Sequence, residues 1–404
     1  MLKDYSLKFG KELKSVRRIT VAQHIHCAHC NASHQYLYYN DGVLKSQVRC
    51  KVCGELSQTE YRLRRAEKAK YFCPYCGGAL FRWKRKAEVT IHKCSNDNCP
   101  YRVNALSKLN PLEKAFKKLH SSHFKLCYQY REYHFKQAEL VHSSPVKPLV
   151  DISKIHNSQN VLGLILAFYI SFATTARKTA LILRSVFNID VSYQTVLNYA
   201  EAAAYHCHQF NLANKGPVDS RQAGDEAYIK ILGKDHFTFF FITPKRHKIT
   251  AYHLARSRDT LPAIIAMNEA IRTAKPQQKF TLISDGNPAY PAGIHFLNEL
   301  YGSKDFIQHR KVVGLQNLDA ESELFRPFRQ LIERLNRTYK YHVRPACGFN
   351  SFNGATALTT LFVTHYNFLR PRMALDYQVP IPMSELEAIS TIQGKWAKII
   401  SMAA

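Results

Sequence analysis

The feature that most constrains this 404-residue chain is the placement of its cysteines. Eight of the eleven fall in the first hundred residues as four close pairs, Cys27/Cys30, Cys50/Cys53, Cys73/Cys76 and Cys94/Cys99. Within each half, two pairs stand slightly under twenty residues apart, the spacing at which two knuckles meet around one tetrahedral ion. Gly54 and Gly77 directly follow a second cysteine, where a knuckle turn needs positive φ. The intervening segments Gln35–Tyr39 and Ala87–Ile91 are rich in β-formers, as a ribbon hairpin requires. Residues 21–56 and 70–103 therefore read as tandem zinc ribbons, each stapled by one structural Zn²⁺ because modules this small bury too little to fold alone. The full cysteine sets leave His24, His26, His29 and His92 without a ligand role.

Lysine and arginine exceed aspartate and glutamate by 57 to 30, a net charge of +27. Such an excess favours a polyanionic partner through phosphate contacts and counterion release, and nucleic acid is the leading one. Two basic stretches with interleaved aromatics, Tyr61–Arg65 and Phe81–Lys86, supply candidate phosphate contacts, with Arg82, Lys84 and Arg85 in the second. The longest apolar run, Val161–Ile170, is about half a bilayer span, so no membrane partner is expected. The N-terminus lacks an apolar signal core, so a cytoplasmic chain is expected, in which thiols would stay reduced and paired cysteines would mean metal. A DNA partner would put it at the nucleoid.

Residues 104–155 show no sustained periodicity and read as a partly helical linker. Three helical patterns follow, Asn160–Ile170, Ala176–Phe187 and Ser192–Cys207, the last opening on a Ser192 cap. They suit a helix-turn-helix DNA-binding domain over 156–212, with Tyr193, Gln194, Thr195 and Asn198 near the last helix's N-terminus free to reach base edges. A plain three-helix packing unit fits the same pattern.

After Pro217 the pattern turns to strands: Ala223–Leu232, a Gly233-Lys234-Asp235 turn, His236–Thr243 and Lys248–Ala255. A helix over 259–274, a strand Lys279–Ser284, a helix from Tyr290, a strand near Phe306–Val313 and further helices complete residues 217–378, leaving 379–404 as a C-terminal tail. Three antiparallel strands followed by alternating helix and strand predict an α/β fold of RNase H-like order, so the chain as a whole is expected to be multidomain. Alternation places Asp225 on the apolar face with Ala227, Ile229 and Ile231, and sends Glu226, Tyr228 and Lys230 the other way. A carboxylate on an apolar face is costly unless a cation neutralises it. Asp285 follows a strand end, where ligands gather in α/β sheets. A third acid is expected from the following helices, with Glu321, Glu323 and Glu333 available. Glu333 is preferred because Asn336, Arg337 and Lys340 share its helical face, whereas Glu321 lacks such a basic follower and precedes Pro327.

These residues resemble the DDE transposases of the RNase H-like, retroviral-integrase superfamily, most nearly insertion-sequence family six. Asp225-Glu226-Ala227-Tyr228-Ile229-Lys230 is similar to the first-acid motif, Asp285-Gly286-Asn287-Pro288-Ala289-Tyr290-Pro291 to the second, and Glu333 with Lys340 to the acid followed by a basic residue seven positions on. Gly348–Phe352 and Tyr366–Pro371 resemble downstream segments, and the resemblance spans about residues 160–375. It implies that Asp225, Asp285 and Glu333 hold two Mg²⁺ (or Mn²⁺) for phosphodiester cleavage and strand transfer, with Lys340 and Arg337 orienting phosphate. It also implies double-stranded partners, the element's terminal inverted repeats and target DNA, and a homo-oligomer that pairs two ends. The rival expectation is a DNA-binding regulator that keeps the ribbons and helices but has lost the chemistry. Cys127, Cys207 and Cys347 read as ordinary packed thiols.

Overall fold

The computed structural model describes residues 15–16, 21–40, 47–58, 69–136, 140–303, 305–312 and 320–404. The basic stretch Tyr61–Arg65, Val313 and the side chain of Glu321 lie outside the described residues. Contacts divide the chain into two compact units, one of residues up to 85 with 91–130, the other of 86–90 with 131–404.

The first ribbon carries short strands β1 (Leu37–Tyr39), β2 (Gln47–Cys50) and β3 (Leu56–Gln58), antiparallel in that order. The second is built on β4 (Leu80–Arg85) and β5 (Val89–Cys94), joined by β6 (Gln129–Tyr133) as the third strand of its sheet. Between β5 and β6 lie α1 (Pro100–Ser107) and α2 (Pro111–Leu119), the latter opened by an Asn110/Glu113 capping box. The stretch 104–155, expected as a partly helical linker, thus contains the end of α1, α2 and β6. The apolar stripe Leu112, Phe116 and Leu119 of α2 was available as a signal, although α1 and α2 bury no residue fully.

In the second unit, α3 (Gln159–Leu166) runs on through a π-helical turn to Ser171, followed by α4 (Ala176–Phe187) and the 21-residue α5 (Tyr193–Ala213). The sheet has strands β7 (Arg221–Ile231), β8 (Lys234–Ile242), β9 (Ile249–Ala255), β10 (Phe280–Ser284) and β11 (Ile307–Lys311). Its order is β11-β10-β7-β8-β9, with β7, β8 and β9 antiparallel and β10 and β11 parallel to β7. That is the expected RNase H-like order. The β7–β8 turn is one residue pair earlier than expected: Ile231 pairs with Lys234, and Leu232 and Gly233 both take positive φ, as a two-residue type I′ hairpin demands.

Helices α6 (Thr260–Ile271) and α7 (Ala289–Leu300) cover one face of the sheet, packing on Phe239 and Phe241. The other face, with Ala227, Ile229 and Phe240, meets α8 (Ala320–Val343) and α9 (Phe352–Thr364) in one core shared with α3, α5 and α11 (Ile392–Ala403). Before α11 comes the short α10 (Ser384–Glu387). Residues 156–212 and 379–404, expected as a separate domain and a tail, therefore pack into the core of the second unit. Trp396 is fully buried and donates its indole N–H to Ser171 Oγ at 2.9 Å. Its spacing with Ile399 and Ile400, an apolar i, i+3, i+4 stripe, is the signal that was available. Among the described residues, no helix is long and apolar enough to cross a membrane.

Candidate functional site

The central strand β7 positions the acids. Asp225 pairs with Phe240 in β8, and its side chain points toward α8 with the odd-numbered apolar residues. On the other side of β7, Ile283 of β10 lies beside Ala223, so the parallel register carries Asp285, two residues on, to the level of Asp225. β10 stops at Ser284, one residue before Asp285. Glu226, directed toward α7 by alternation, also comes within reach of Asp285. One oxygen from each of Asp225, Glu226 and Asp285 lies within 4.8 Å of the others.

The loop after β10 is fixed by its own side chains. Asn287 N–H donates to Asp285 Oδ1 at 2.9 Å, and Asn287 Nδ2 donates to Glu226 Oε1 at 2.7 Å. Arg258 sits over the pair, 3.3 Å from Glu226 and 3.9 Å from Asp285. On the α8 side, Asn336 Nδ2 donates to Asp225 Oδ2 at 3.0 Å and Arg329 Nη1 lies 3.1 Å from the same oxygen.

Glu333 stands apart from this cluster. Its half-exposed carboxylate accepts from Arg329 Nε at 3.1 Å, so a single guanidinium joins Asp225 to Glu333. Of the three acids expected, the structure brings Asp225 and Asp285 together and places Glu333 one arginine away, with Glu226 in the third position. Glu323 is exposed in the N-terminal part of α8. Lys340 lines a cavity of about 320 Å³ with Tyr228, Lys230 and Arg344, and Arg337 is exposed. Sequence reasoning missed Glu226, Arg258 and Arg329. Glu226 was set aside by strand alternation, but Arg329, one helical turn before Glu333, was open to the same i, i+4 argument.

Burial pushes the Asp225 carboxyl above the usual carboxylate range, against the pull of Arg329 and with a further push from Asp285. Glu226 is also raised by burial, opposed by Arg258 and reinforced by Asp225 and Asp285. The buried Tyr290 hydroxyl is driven well above its ordinary value by burial and then by the three acids. Carboxylates so enclosed and so close are stabilised by a cation. Asn336 Oδ1 is also buried without a hydrogen-bond partner among the described residues, an orphaned acceptor at the same place. Acids and acceptor fit a divalent ion.

The cysteines converge as their spacing implied. Cys27–Cys53 and Cys30–Cys50 sulfurs are 3.6 and 3.5 Å apart, and Cys73–Cys99 and Cys76–Cys94 are 3.7 and 3.6 Å apart. These exceed a disulfide bond and approach the edge of a ZnS₄ tetrahedron, about 3.8 Å for a Zn–S length of about 2.3 Å. Both clusters can hold a metal ion. Of the leftover thiols, Cys207 is fully buried, and burial pushes it up to about 12.

Arg82, Lys84 and Arg85 are exposed along β4, with Lys84 and Lys93 Nζ 4.3 and 5.3 Å from the Trp83 ring centre. At the start of α5, Tyr193 and Gln194 are exposed and Thr195 and Asn198 half-buried. Their side chains are partly engaged: Arg177 lies over Tyr193, Ser192 Oγ caps Thr195 N, and Gln194 donates to Asn198.

Residues 327–380 match the family model described as "Integrase core domain". No curated protein matches the chain by sequence. The HTLV-2 integrase catalytic core domain in complex with magnesium is similar at 13% identity and TM-score 0.29, covering 40% of this chain and 94% of that one. A simian T-cell lymphotropic virus intasome chain is similar at 16% identity and TM-score 0.29 over 58% and 80%, and the Mos1 strand transfer complex at 13% and 0.24 over 74% and 87%. At such scores the reading rests on the sheet order, the site geometry and the matched segment. The segment similar to the integrase core domain supplies most of α8, beside the acids.

Proposed function

We propose that this protein is a DNA transposase of the DDE type that binds the ends of an insertion sequence and catalyses phosphodiester cleavage and strand transfer. The observation that carries this reading is the convergence of Asp225, Glu226 and Asp285 within 4.8 Å at the central strand. Two divalent ions bound there would supply the Lewis-acid charge that activates the attacking oxygen and stabilises the leaving one. Asp225 and Asp285 would hold them, with Glu226 or Glu333 completing the set. Arg329, which now balances Asp225 and Glu333, would turn its charge to the DNA once the acids are neutralised. Lys340 and Arg337, further along the Glu333 face, would grip the phosphate backbone and orient the scissile bond.

Two structural Zn²⁺ would staple the ribbons, whose exposed Arg82, Lys84 and Arg85 contact phosphates. The N-terminus of α5, with Tyr193, Gln194, Thr195 and Asn198, would read the terminal inverted repeats. A homo-oligomer would pair the two ends, at the nucleoid. The test is metal-dependent nicking and joining of duplex DNA by the zinc-loaded protein. Asp225→Asn and Asp285→Asn should abolish both while DNA binding persists, and retained nicking in either refutes the site. Comparing Glu226→Gln with Glu333→Gln identifies the third acid. A second reading, a DNA-binding regulator without chemistry, draws on one observation, the Arg329 side chain standing between Asp225 and Glu333. It requires wild-type protein to bind DNA and leave it uncut in Mg²⁺ and Mn²⁺.

A further inference from the structure

A second group of charged side chains gathers where α9 ends. The helix runs on through a π-helical turn, His365–Leu369, closed by Arg370 N–H donating to His365 O at 2.8 Å, and the chain then turns through Pro371 to Arg372. The wide turn sets Arg370 and Arg372 down beside His365. The Arg372 guanidinium lies 3.9 Å from the Tyr366 ring centre, and the His342 and His365 rings are 5.8 Å apart.

Polar atoms of these side chains are enclosed and unanswered, the guanidinium nitrogens as donors and His342 Nε2 as an acceptor, because His342 Nδ1 donates to Thr338 O at 2.9 Å. Arg370 Nη1, Arg372 Nε and Nη2, His342 Nε2 and His365 Nδ1 have no hydrogen-bond partner among the described residues. His365 itself is only 6% exposed. The charges acting on the group are cationic. Burial and then His342, Arg370 and Arg372 pull the His365 ring down to about 3. Burial, Arg372 and Arg334 lower His247, and burial lowers His342 against its hydrogen bond to Thr338 O, with a further push down from Arg370. Only the Tyr366 phenol works to raise Arg372, against burial and Arg370.

Arg370 and Arg372 are half-buried, but guanidinium nitrogens enclosed without an acceptor are costly unless an anion pairs with them, and the planar fork of arginine matches phosphate oxygens. The ring and hydroxyl of Tyr366 satisfy part of the Arg372 guanidinium; Arg372 Nε and Nη2 and Arg370 Nη1 remain. Among the described residues, no side chain supplies the missing acceptor to these nitrogens. We propose that Arg370 and Arg372, with His365 as an Nδ1–H donor, form a phosphate-binding site, separate from the acid cluster, whose occupant bears a tetrahedral phosphate group. The source we favour is a backbone phosphate of duplex DNA; that part alone rests on the transposase reading, and the site does not.

The experiment labels arginines of the full-length, zinc-loaded protein with phenylglyoxal and reads each peptide by mass spectrometry. The probes are inorganic phosphate, at constant ionic strength set with chloride, and separately a DNA duplex. Phosphate should slow labelling of Arg370 and Arg372 by about tenfold at some ten times its half-saturating concentration, while exposed Arg184 stays unchanged. It should also raise the melting temperature above that in matched chloride, a rise lost in Arg370→Gln. If the duplex protects as well, and Arg370→Gln lowers the salt slope of DNA binding by about one, the occupant is a DNA phosphate. Protection by phosphate without protection by DNA keeps the site and assigns it to a free phosphate compound. Unchanged labelling with both probes overturns the proposal, even if Arg370→Gln does not fold. Neither readout uses metal-dependent cleavage, so a failed nicking assay and a failed phosphate site are told apart.

Discussion

The cysteine clusters and the acid cluster both gather charged ligands at one point, but they do so from opposite scales of sequence. Each ribbon takes its four sulfurs from two short knuckles and one hairpin, so spacing alone dictates the site. The acids come from adjacent residues of one strand and the end of another sixty residues on, and only the parallel register of β10 against β7 unites them. In the ribbons the ligands are most of what folds. In the second unit the core exists first and the site is carved at its edge, where buried carboxylates cost stability until a cation answers them.

That contrast is sharpest under metal loss. Cys50→Ser removes one sulfur from the first cluster and should drop bound zinc from two equivalents to one, with the first ribbon unfolding, since structural zinc contributes on the order of 10 kcal/mol to such modules. Zinc content by atomic emission and ribbon amide exchange check this; a folded ribbon without its zinc would break the comparison. In the second unit the large effect should instead come from packing. Trp396→Ala, deep beneath α3, should cost about 4 kcal/mol by cavity formation, measured by denaturant melting. A cost near zero would return 379–404 to the status of a tail.

Those two changes also mark what was legible. The cysteine spacing, the meander of β7, β8 and β9 and the strand order could be read because each is a local or period-two pattern. Helices α3, α4 and α5 were legible as helices, but not their partners: α5 shares a core with α9, about 150 residues away, and no local signal reports that. Glu226 was misplaced for a physical reason. Alternation does send it to the far face, but β10 stops at Ser284 beside the middle of β7, and Asp285 beyond it lies within reach of acids on both faces.

A smaller effect probes Arg329. Arg329→Gln leaves the buried Asp225 uncompensated and should destabilise the metal-free protein by about 3 kcal/mol. Saturating Mn²⁺ should restore most of that loss in a melting assay. Equal destabilisation with and without Mn²⁺ would mean that Arg329 and a cation do not share the same charge.

The smallest effect is in pH. Asp225 and Glu226 have folded pKa values raised above their unfolded ones, so the native state holds their protons more tightly. Their contribution to stability is fully present below the unfolded pKa, about 4, and is lost as pH rises through the raised values. Each tenfold gain in proton affinity on folding corresponds to about 1.4 kcal/mol. The buried histidines His142, His208, His253 and His365 act oppositely, being lowered by burial. The acids are therefore read as the difference between wild type and Glu226→Gln. Without metal, the variant should gain on wild type as pH rises from 4 to 8, and Mn²⁺ should erase the gain. A constant difference across that range contradicts the raised Glu226.

The most direct test of the acid cluster is affinity cleavage of the zinc-loaded protein by Fe²⁺ and ascorbate, which cuts the backbone beside bound iron. Cuts at 225–226 and 285 that Mg²⁺ competes away and Asp225→Asn abolishes are the predicted result. Cuts confined to other positions, or an unchanged pattern in Asp225→Asn, would contradict a divalent-ion site at these acids.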